Sequence, residues 1–361
     1  MLFLLSIVGL LFCIQAGANE NVSFKVRLQP RLAAGDIIRS ADRTGYETET
    51  DAYLRRARLE IVGRPRKNLL YIVAFSGDRW DQKGRANEII LGYALVDYKF
   101  SDPLSLQLGL AKLPYSRGTL TSSSRLLLVD RPAVADMGAR FFKYFAPHIV
   151  LHGKFANGAL AYNFALSDGF QAGDSDRAFS GKTVVTSGDP GGVLRIEWSP
   201  AGWIEKRKSD SHQGLGQHLT LGLNTVWQND IGLEDIGKEN RLLLGADLSY
   251  HRKGLSLQSE YLYMKRDSAS EVELSGWYVQ GGYFFINRRI EPAFRFDLID
   301  ENADTDDDQT KIFTGGINWY IEGHALKVQA NIFHHIFDTN AREVSGESSK
   351  TGLLIQNQIY F

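Results

Sequence analysis

Two short runs of this chain place basic side chains at positions of equal parity: Lys25, Arg27 and Arg31 in one, Arg56 and Arg58 in the other. In an extended chain a spacing of two puts side chains on one face, so each run offers a row of donors. A guanidinium presents five N–H groups in a plane that matches the oxygens of a phosphate or carboxylate. The chemistry on offer is therefore recognition of small oxyanions. A third group follows, Arg117, Arg125, Arg131, Arg140 and Lys143, opposed nearby by Asp130 and Asp136. Within it, Ser122, Ser123 and Ser124 could add neutral hydrogen bonds to the same anion. The competing reading is structural: the arginines pair with Glu60, Asp97, Glu260, Glu291 or Asp297 and solvate a wall.

Other constellations carry less. His148 and His152 lie four apart on one face of an extended segment, and His334 and His335 are adjacent, but such pairs are more often structural than ligating. Neither a metal site nor a cofactor is expected. There is no serine in a nucleophile elbow with partner His and Asp, and no glycine loop to cradle a nucleotide phosphate, so no catalysis is expected. The formal net charge of −1 excludes a strongly basic nucleic-acid binder as the default.

These rows need extended segments to carry them, and the chain supplies a regular series. Alternation of apolar and polar residues predicts strands at 22–32, 53–62, 69–76, 89–100, 104–113, 148–156, 159–167, 193–198, 217–228, 241–251, 255–264, 273–286, 290–298, 310–320, 325–333 and 352–361. That is about sixteen, an even number, as in single-chain bacterial barrels. Beyond the first residues no apolar stretch reaches the length of a membrane helix.

The connections separate into two kinds. Those after even-numbered strands are tight turns, Asn157-Gly158 among them, and those after odd-numbered strands are long loops. That asymmetry belongs to membrane barrels. The segment 199–216 breaks it, being long on the short-turn side. Aromatics gather near both strand ends: Tyr98, Phe100, Trp198, Phe284, Phe285, Trp319, Tyr320, Tyr360 and Phe361 toward the turns, and Trp227, Tyr261, Tyr263 and Phe333 toward the loops. Two belts are what amphipathic rings form at two membrane interfaces.

The termini fit an exported barrel. Residues 1–18 carry no charged side chain and end Ala16-Gly17-Ala18, a small-x-small cleavage pattern, so they read as a signal peptide with the barrel over 19–361. Phe12 directly before Cys13 argues against lipidation at that cysteine, which is the only one. The last strand sets Gln356 and Gln358 against Leu353, Ile355 and Ile359 and ends on Phe361.

A family resemblance now becomes specific. Tyr53-Leu54-Arg55-Arg56-Ala57-Arg58-Leu59, Gly109-Leu110-Ala111-Lys112-Leu113-Pro114-Tyr115-Ser116, Leu120-Thr121-Ser122-Ser123-Ser124 and Val129-Asp130-Arg131 resemble the phosphate-selective porin O and P family. The resemblance implies an all-β fold: a transmembrane antiparallel barrel of sixteen strands, commonly a homotrimer, with an inward-folded third loop forming the constriction. The matching loop is 114–147, rich in Leu126 to Leu128, Phe141 and Phe142. It departs from the family where Gly138-Ala139-Arg140-Phe141-Phe142-Lys143-Tyr144 stands in place of an Arg-Asp-x-Gly stretch, which makes phosphate a narrower expectation than anion preference.

The expectation is a passive porin in the outer membrane of a Gram-negative bacterium, passing small anionic solutes such as phosphate, bathed in lipid and lipopolysaccharide. Its pore would be lined by Lys25, Arg27, Arg31, Arg56, Arg58, Arg117, Ser122, Ser123, Ser124, Arg125, Arg131 and Arg140. The alternative is a non-selective diffusion porin. An outer-membrane enzyme would want a rim Ser and His on fewer strands, and a soluble exported carbohydrate-binding β-protein would not need the loop asymmetry. The acidic run Asp300, Glu301, Asp304, Asp306, Asp307 and Asp308 reads as a solvated loop, with a loose divalent bridge to lipopolysaccharide as its alternative, because its spacing is not that of a calcium loop.

Overall fold

A computed structural model describes residues 21–39, 45–176, 183–234, 236–268, 271–287, 289–341 and 346–361. The leader expected over 1–18 lies outside them. The strands are β1 (Val22–Arg39), β2 (Tyr46–Arg66), β3 (Leu69–Trp80), β4 (Ile90–Lys99), β5 (Ser105–Lys112), β6 (Phe145–Phe155) and β7 (Leu160–Ser167). A short hairpin, β8 (Ser175–Asp176) and β9 (Thr183–Ser187), lies within a loop. Then come β10 (Gly191–Trp198), β11 (Gln217–Leu233), β12 (Gly237–Arg252), β13 (Leu255–Asp267) and β14 (Val272–Tyr283). The series ends with β15 (Ile290–Asp300), β16 (Gln309–Glu322), β17 (Leu326–Phe337) and β18 (Ser349–Tyr360).

Apart from the loop hairpin these form one closed antiparallel cylinder of sixteen strands, because β7 pairs directly with β10 and β1 pairs with both β2 and β18. The closure registers Arg27 opposite Tyr360 and Leu28 opposite Ile359. A closed sheet leaves no edge with unpaired backbone groups, which a hydrocarbon layer cannot satisfy.

Alternation decides the faces. On β18 Gln356 and Gln358 are buried in the lumen while Leu353 and Ile359 are exposed outward. The belt at the turn end includes Phe100, Trp198, Phe285, Trp319 and Phe361, all exposed. Phe284 and Tyr320 depart from the expected belt: both are buried inside and pack edge to face at 5.6 Å, with the Tyr320 hydroxyl donating to Glu291 Oε2. The two residues sit next to outward neighbours, so one position along the strand decides between lipid and lumen.

Many strands run beyond the expected bounds at the loop end. β1 and β2 stay paired out to Arg39 and Tyr46, so much of the anticipated first loop is wall. The turn at Asn157 and Gly158 uses left-handed backbone, φ 55° and 92°, the conformation those two residue types tolerate best.

Two connections fill the lumen. From the loop end, the segment 114–147 folds inward and carries α1 (Arg117–Leu120) and α2 (Ala133–Phe141). From the turn end, 199–216 also folds inward: Ser209, Asp210 and Ser211 are fully or almost fully buried. The long segment on the short-turn side is thus a second plug, and no strand is displaced there.

Candidate functional site

Lumen-facing side chains of the wall hold the third loop at several points. Glu260 on β13 accepts from the backbone N–H of Arg117 and Gly118 at 2.8 and 3.0 Å, seating the start of α1. Gly118 is required by the approach of α2, since a Cβ there would lie 2.6 Å from the Ala135 Cβ. Asp297 on β15 accepts from Ala133 N at 2.8 Å, placing a carboxylate at the positive end of α2. Arg241 on β12 donates to the Phe141 carbonyl at 2.8 Å at its other end. Between the helices, wall amides take up loop backbone: Asn331 Oδ1 accepts from Val129 N at 2.6 Å, Asn318 donates to Leu127 O at 2.8 Å, and Gln358 donates to Ser124 O at 3.0 Å. Buried backbone must find partners, and these amides supply them.

Apolar packing completes the seating. Val134, Met137, Phe141 and Phe142 of the loop join Leu243, Leu262, Met264, Leu274, Tyr278, Ile299 and Ile312 of the wall in one cluster. A lumen normally reads as polar, and here one flank of it is a protein core. The apolar side of the loop therefore packs on a long arc of the wall, β6, β7 and β10 to β16, and its backbone is bonded to β17 and β18; the cavities that remain lie along β1 to β5.

That passage is lined by cations. Two cavities, of about 260 and 270 Å³, share Arg58, Lys112 and Ser123 in their linings. The one nearer the loop end is also lined by Arg55, Arg56, Asp78, Arg131, Asp136 and Tyr144. The one nearer the turn end adds Lys25, Arg27, Glu60, Arg64, Tyr93 and Arg207. Arg58 on the wall and Lys112 and Ser123 across from it stand where the two linings meet.

The charges are unequally matched. Arg27 donates to Ser123 Oγ at 2.9 Å and lies 3.5 Å from Glu60. Arg31 grips Asp130 with two bonds of 2.8 and 2.9 Å and also binds Gln356, so it ties the loop to the wall. Arg55 lies 3.6 Å from both Asp78 and Asp130, and Arg56 3.8 Å from Asp78, with a 2.9 Å bond to Gln29. Burial alone would raise the Asp130 carboxyl, but Arg31 and Arg55 hold it below the usual carboxylate range. Among the described residues Arg58, Lys112 and Arg131 have no carboxylate within 4.0 Å. Arg58 donates to Ser76 Oγ at 2.7 Å, Lys112 to Thr119 O at 2.7 Å, and Arg131 to Gly118 O and Thr121 O at 3.0 and 2.8 Å. All three basic side chains line one cavity.

The remaining expected residues fall elsewhere. Arg117 is fully buried in a two-bond pair with Glu205 of the inward turn, at 2.9 Å each, and pins the two plugs together. Ser124 is buried beside Ser122, their hydroxyls 3.0 Å apart. Arg125 lines a separate cavity at the turn end with Arg207 and Tyr360. Arg140 is an exposed residue of α2, and Lys143 pairs with Asp174 at 2.5 Å. Of the carboxylates named as wall partners, Glu60 and Asp297 face arginines; Asp97 faces His152, and Glu260 and Glu291 serve loop backbone and Tyr320.

Four basic lining residues, Arg55, Arg64, Lys112 and Arg207, were not singled out from the sequence. Arg55 has the wrong parity, but β1 and β2 slip by one residue between Gln29 and Pro30, and the bulge turns Arg55 and Arg56 to the same side. Lys112 shares the parity of the outward leucines of β5, yet it is the strand's last residue, where the chain leaves the wall. Arg207 arrives on the inward turn, which alternation cannot place.

Comparison with known proteins agrees with this architecture. The family model described as phosphate-selective porin O and P matches residues 24–361. An uncharacterised protein of Aquifex aeolicus (strain VF5) is 32% identical, with 96% of this chain and 89% of that protein covered. Among solved structures, an anion-selective porin from Comamonas acidovorans matches with a TM-score of 0.67 at 12% identity, covering 94% of this chain and 99% of that one. OprB of Pseudomonas putida matches with a TM-score of 0.66 at 11% identity, covering 98% and 96%. At such identities the structural likeness speaks for the fold alone.

Proposed function

The chain belongs to the phosphate-selective porin O and P family, and from that membership we propose that its outer-membrane channel prefers small anions, phosphate among them. Family and fold make it an outer-membrane barrel porin. The preference rests on one observation: Arg58, Lys112 and Arg131 line a single cavity without carboxylate partners. The two cavities are lined by nine basic side chains, Lys25, Arg27, Arg55, Arg56, Arg58, Arg64, Lys112, Arg131 and Arg207, and by three acidic ones, Glu60, Asp78 and Asp136. Fixed charge in a narrow, low-dielectric gap favours the opposite ion over its own kind.

Phosphate adds geometry to charge. Its oxygens can be taken by guanidinium forks of Arg58 and Arg131, the Lys112 ammonium and the Ser123 hydroxyl, which replace part of its hydration. Lys25, Arg64 and Arg207 continue positive charge toward the turn end, so an anion can be handed on before it is held too firmly to leave. The roles given to Lys25, Arg27, Arg56, Arg58, Ser122, Ser123 and Arg131 are part of this proposal, as are assembly as a homotrimer and contact with lipopolysaccharide.

The test is the reversal potential of the purified channel in a potassium chloride gradient, followed by addition of phosphate. Anion preference with block of chloride current by phosphate is the expected result. A parent pore that is cation-selective at 0.1 M salt overturns the proposal, and an unselective one leaves a general-diffusion porin.

A further inference from the structure

The six tight turns at one end of the barrel are strongly basic, and the passage accounts for little of that charge. Across residues 64–68, 99–104, 154–159, 252–254, 284–289 and 321–325 the described residues include eight exposed basic side chains against two exposed acidic ones, Asp102 and Glu322. The whole chain has a formal net charge of −1, and the loop 299–309 at the other end has six carboxylates and no basic residue. Positive charge is thus concentrated on one rim. Few of these cations are matched inside the molecule. Lys99 pairs with Asp102, and Arg64 lines the anion passage. Arg66, Lys67, Lys154, Arg252, Lys253 and Arg289 have no carboxylate within 4.0 Å among the described residues.

The wall decides which way they point. Arg66 on β2 stands opposite Leu69 on β3, whose neighbour Leu70 lines the lumen, so Leu69 and Arg66 face outward. Arg252 ends β12 with the parity of Leu248, which is exposed outward. Its guanidinium lies over the Trp203 ring, 5.6 Å from the centroid, and Trp203 packs on Tyr250 at 5.9 Å. The aromatic belt fixes the depth. Lys99 and Lys154 immediately precede Phe100 and Phe155, both exposed, and Arg289 N donates to the carbonyl of exposed Phe285 at 2.9 Å. One residue of strand is about 3.3 Å long, so the basic rim adjoins the rings that mark the membrane interface, where phospholipid headgroups lie.

We propose that this rim is a docking surface for anionic phospholipids of the leaflet facing the periplasm, with the lipid phosphate groups as its ligands. Short turns mark the periplasmic side of such barrels. Lysine and arginine beside an anionic leaflet attract its headgroups, while their aliphatic stems and the neighbouring rings cover the apolar surface just below. The Arg252 guanidinium, held over Trp203 and free of any carboxylate, presents its remaining N–H groups to a phosphate. A soluble acidic macromolecule would meet the turn residues Lys67, Lys253 and Arg289, and would have no use for outward Arg66 and Arg252 or for the rings beside them. Arg66, Lys67, Arg252 and Lys253 line neither cavity of the passage, so this surface is separate from its anion preference.

The test compares phosphatidylglycerol with phosphatidylcholine of the same acyl chains, each added in mixed micelles to the protein folded in detergent. The midpoint temperature of heat-modifiable migration is the first readout. Phosphatidylglycerol should raise it, phosphatidylcholine and inorganic phosphate should not, and the rise should shrink at about 1 M salt. Retained phosphatidylglycerol, counted by native mass spectrometry, should fall at least about fivefold when Arg66→Gln, Lys67→Gln, Arg252→Gln and Lys253→Gln are combined. Lys238→Gln with Lys265→Gln, at the loop end, should retain lipid as the parent does. Migration shows whether each variant is folded, and the parent's discrimination between the two lipids is decisive even where a variant is not. Equal response to the two lipids, or retention unchanged in the folded rim variant, overturns the proposal. A rim variant that keeps its lipid but no longer sediments with peptidoglycan overturns it in favour of the cell wall as partner. Neither result touches the reversal potential of the passage.

Discussion

Arg117 and Glu205 meet through two 2.9 Å bonds inside the barrel, although one enters on the third loop from the loop end and the other on a turn from the opposite end. The loop and the turn are further joined where Asp210 N donates to Arg125 O at 3.0 Å and Leu127 N donates to Asp210 Oδ2 at 3.3 Å. The width of the passage is therefore set by two connections clasped to each other as much as by the number of strands.

Replacing Glu205 by Gln leaves the Arg117 guanidinium buried without its counter-charge. Breaking a buried pair from one side costs about 3–5 kcal/mol. The variant should lose heat-modifiable migration at a lower temperature than the parent, and its single-channel conductance should rise as the turn loosens. An unchanged transition temperature would show that the pair is dispensable.

Selectivity and anchoring should separate between two arginines of neighbouring strands. Arg58 has no carboxylate partner, so the Arg58→Gln and Lys112→Gln double variant should shift the reversal potential toward cations. The shift should shrink at 1 M salt, where the Debye length is about 3 Å rather than about 10 Å. Arg31 is committed to Asp130, so Arg31→Gln should lower stability more than it alters selectivity. Equal selectivity changes in both variants would refute this division.

Phe141 is 2% exposed within the loop-to-wall cluster. Phe141→Ala should cost about 3–5 kcal/mol by opening a cavity and make the channel current noisier as α2 loses its seat. Quiet currents of parental size would mean that the polar anchors alone hold the loop.

Burial, with Asp300 and Glu301 nearby, pushes the Asp308 carboxyl up to about 6. An unfolded aspartate titrates near about 3.9, so the folded loop binds the proton more tightly than the unfolded chain. Stability from this group is present below about pH 4 and is lost as pH rises toward 6. The protection of residues 301–308, their exchange rate taken relative to the intrinsic rate at each pH, should be greater at pH 5 than at pH 7, and Asp308→Asn should abolish that difference in protection. Protection that falls on acidification would contradict the sign.

Most of the wall was legible because alternation is a repeated signal: each of the sixteen expected segments lies on a barrel strand, and the tight turns follow from residues such as Asn157 and Gly158. The inward course of 114–147 was legible from its resemblance and from buried leucines that no solvated loop would carry. What alternation could not reach was whatever breaks parity. Arg55 is turned inward by a bulge that depends on pairing with β1, and Lys112 sits where its strand ends. The inward fold of 199–216 depends on contacts with Arg117, Arg125 and Gln258, which lie far off in sequence. Charge type was readable, but charge pairing was not: Arg117 and Arg58 look alike in the sequence and differ because only one meets a carboxylate.

The pairing of β1 with β18 also bears on how the molecule is held together. Gln29 on β1 donates to Gln358 on β18 at 2.6 Å and to Ser123 O of the loop at 3.2 Å, while Gln358 donates to Ser124 O at 3.0 Å. The loop is thus stitched across the seam from inside. The seam is held by the direct pairing of β1 with β18 and, from inside, by these bonds to the third loop. Damage to the loop should therefore loosen the junction of the first and last strands as well as alter permeation.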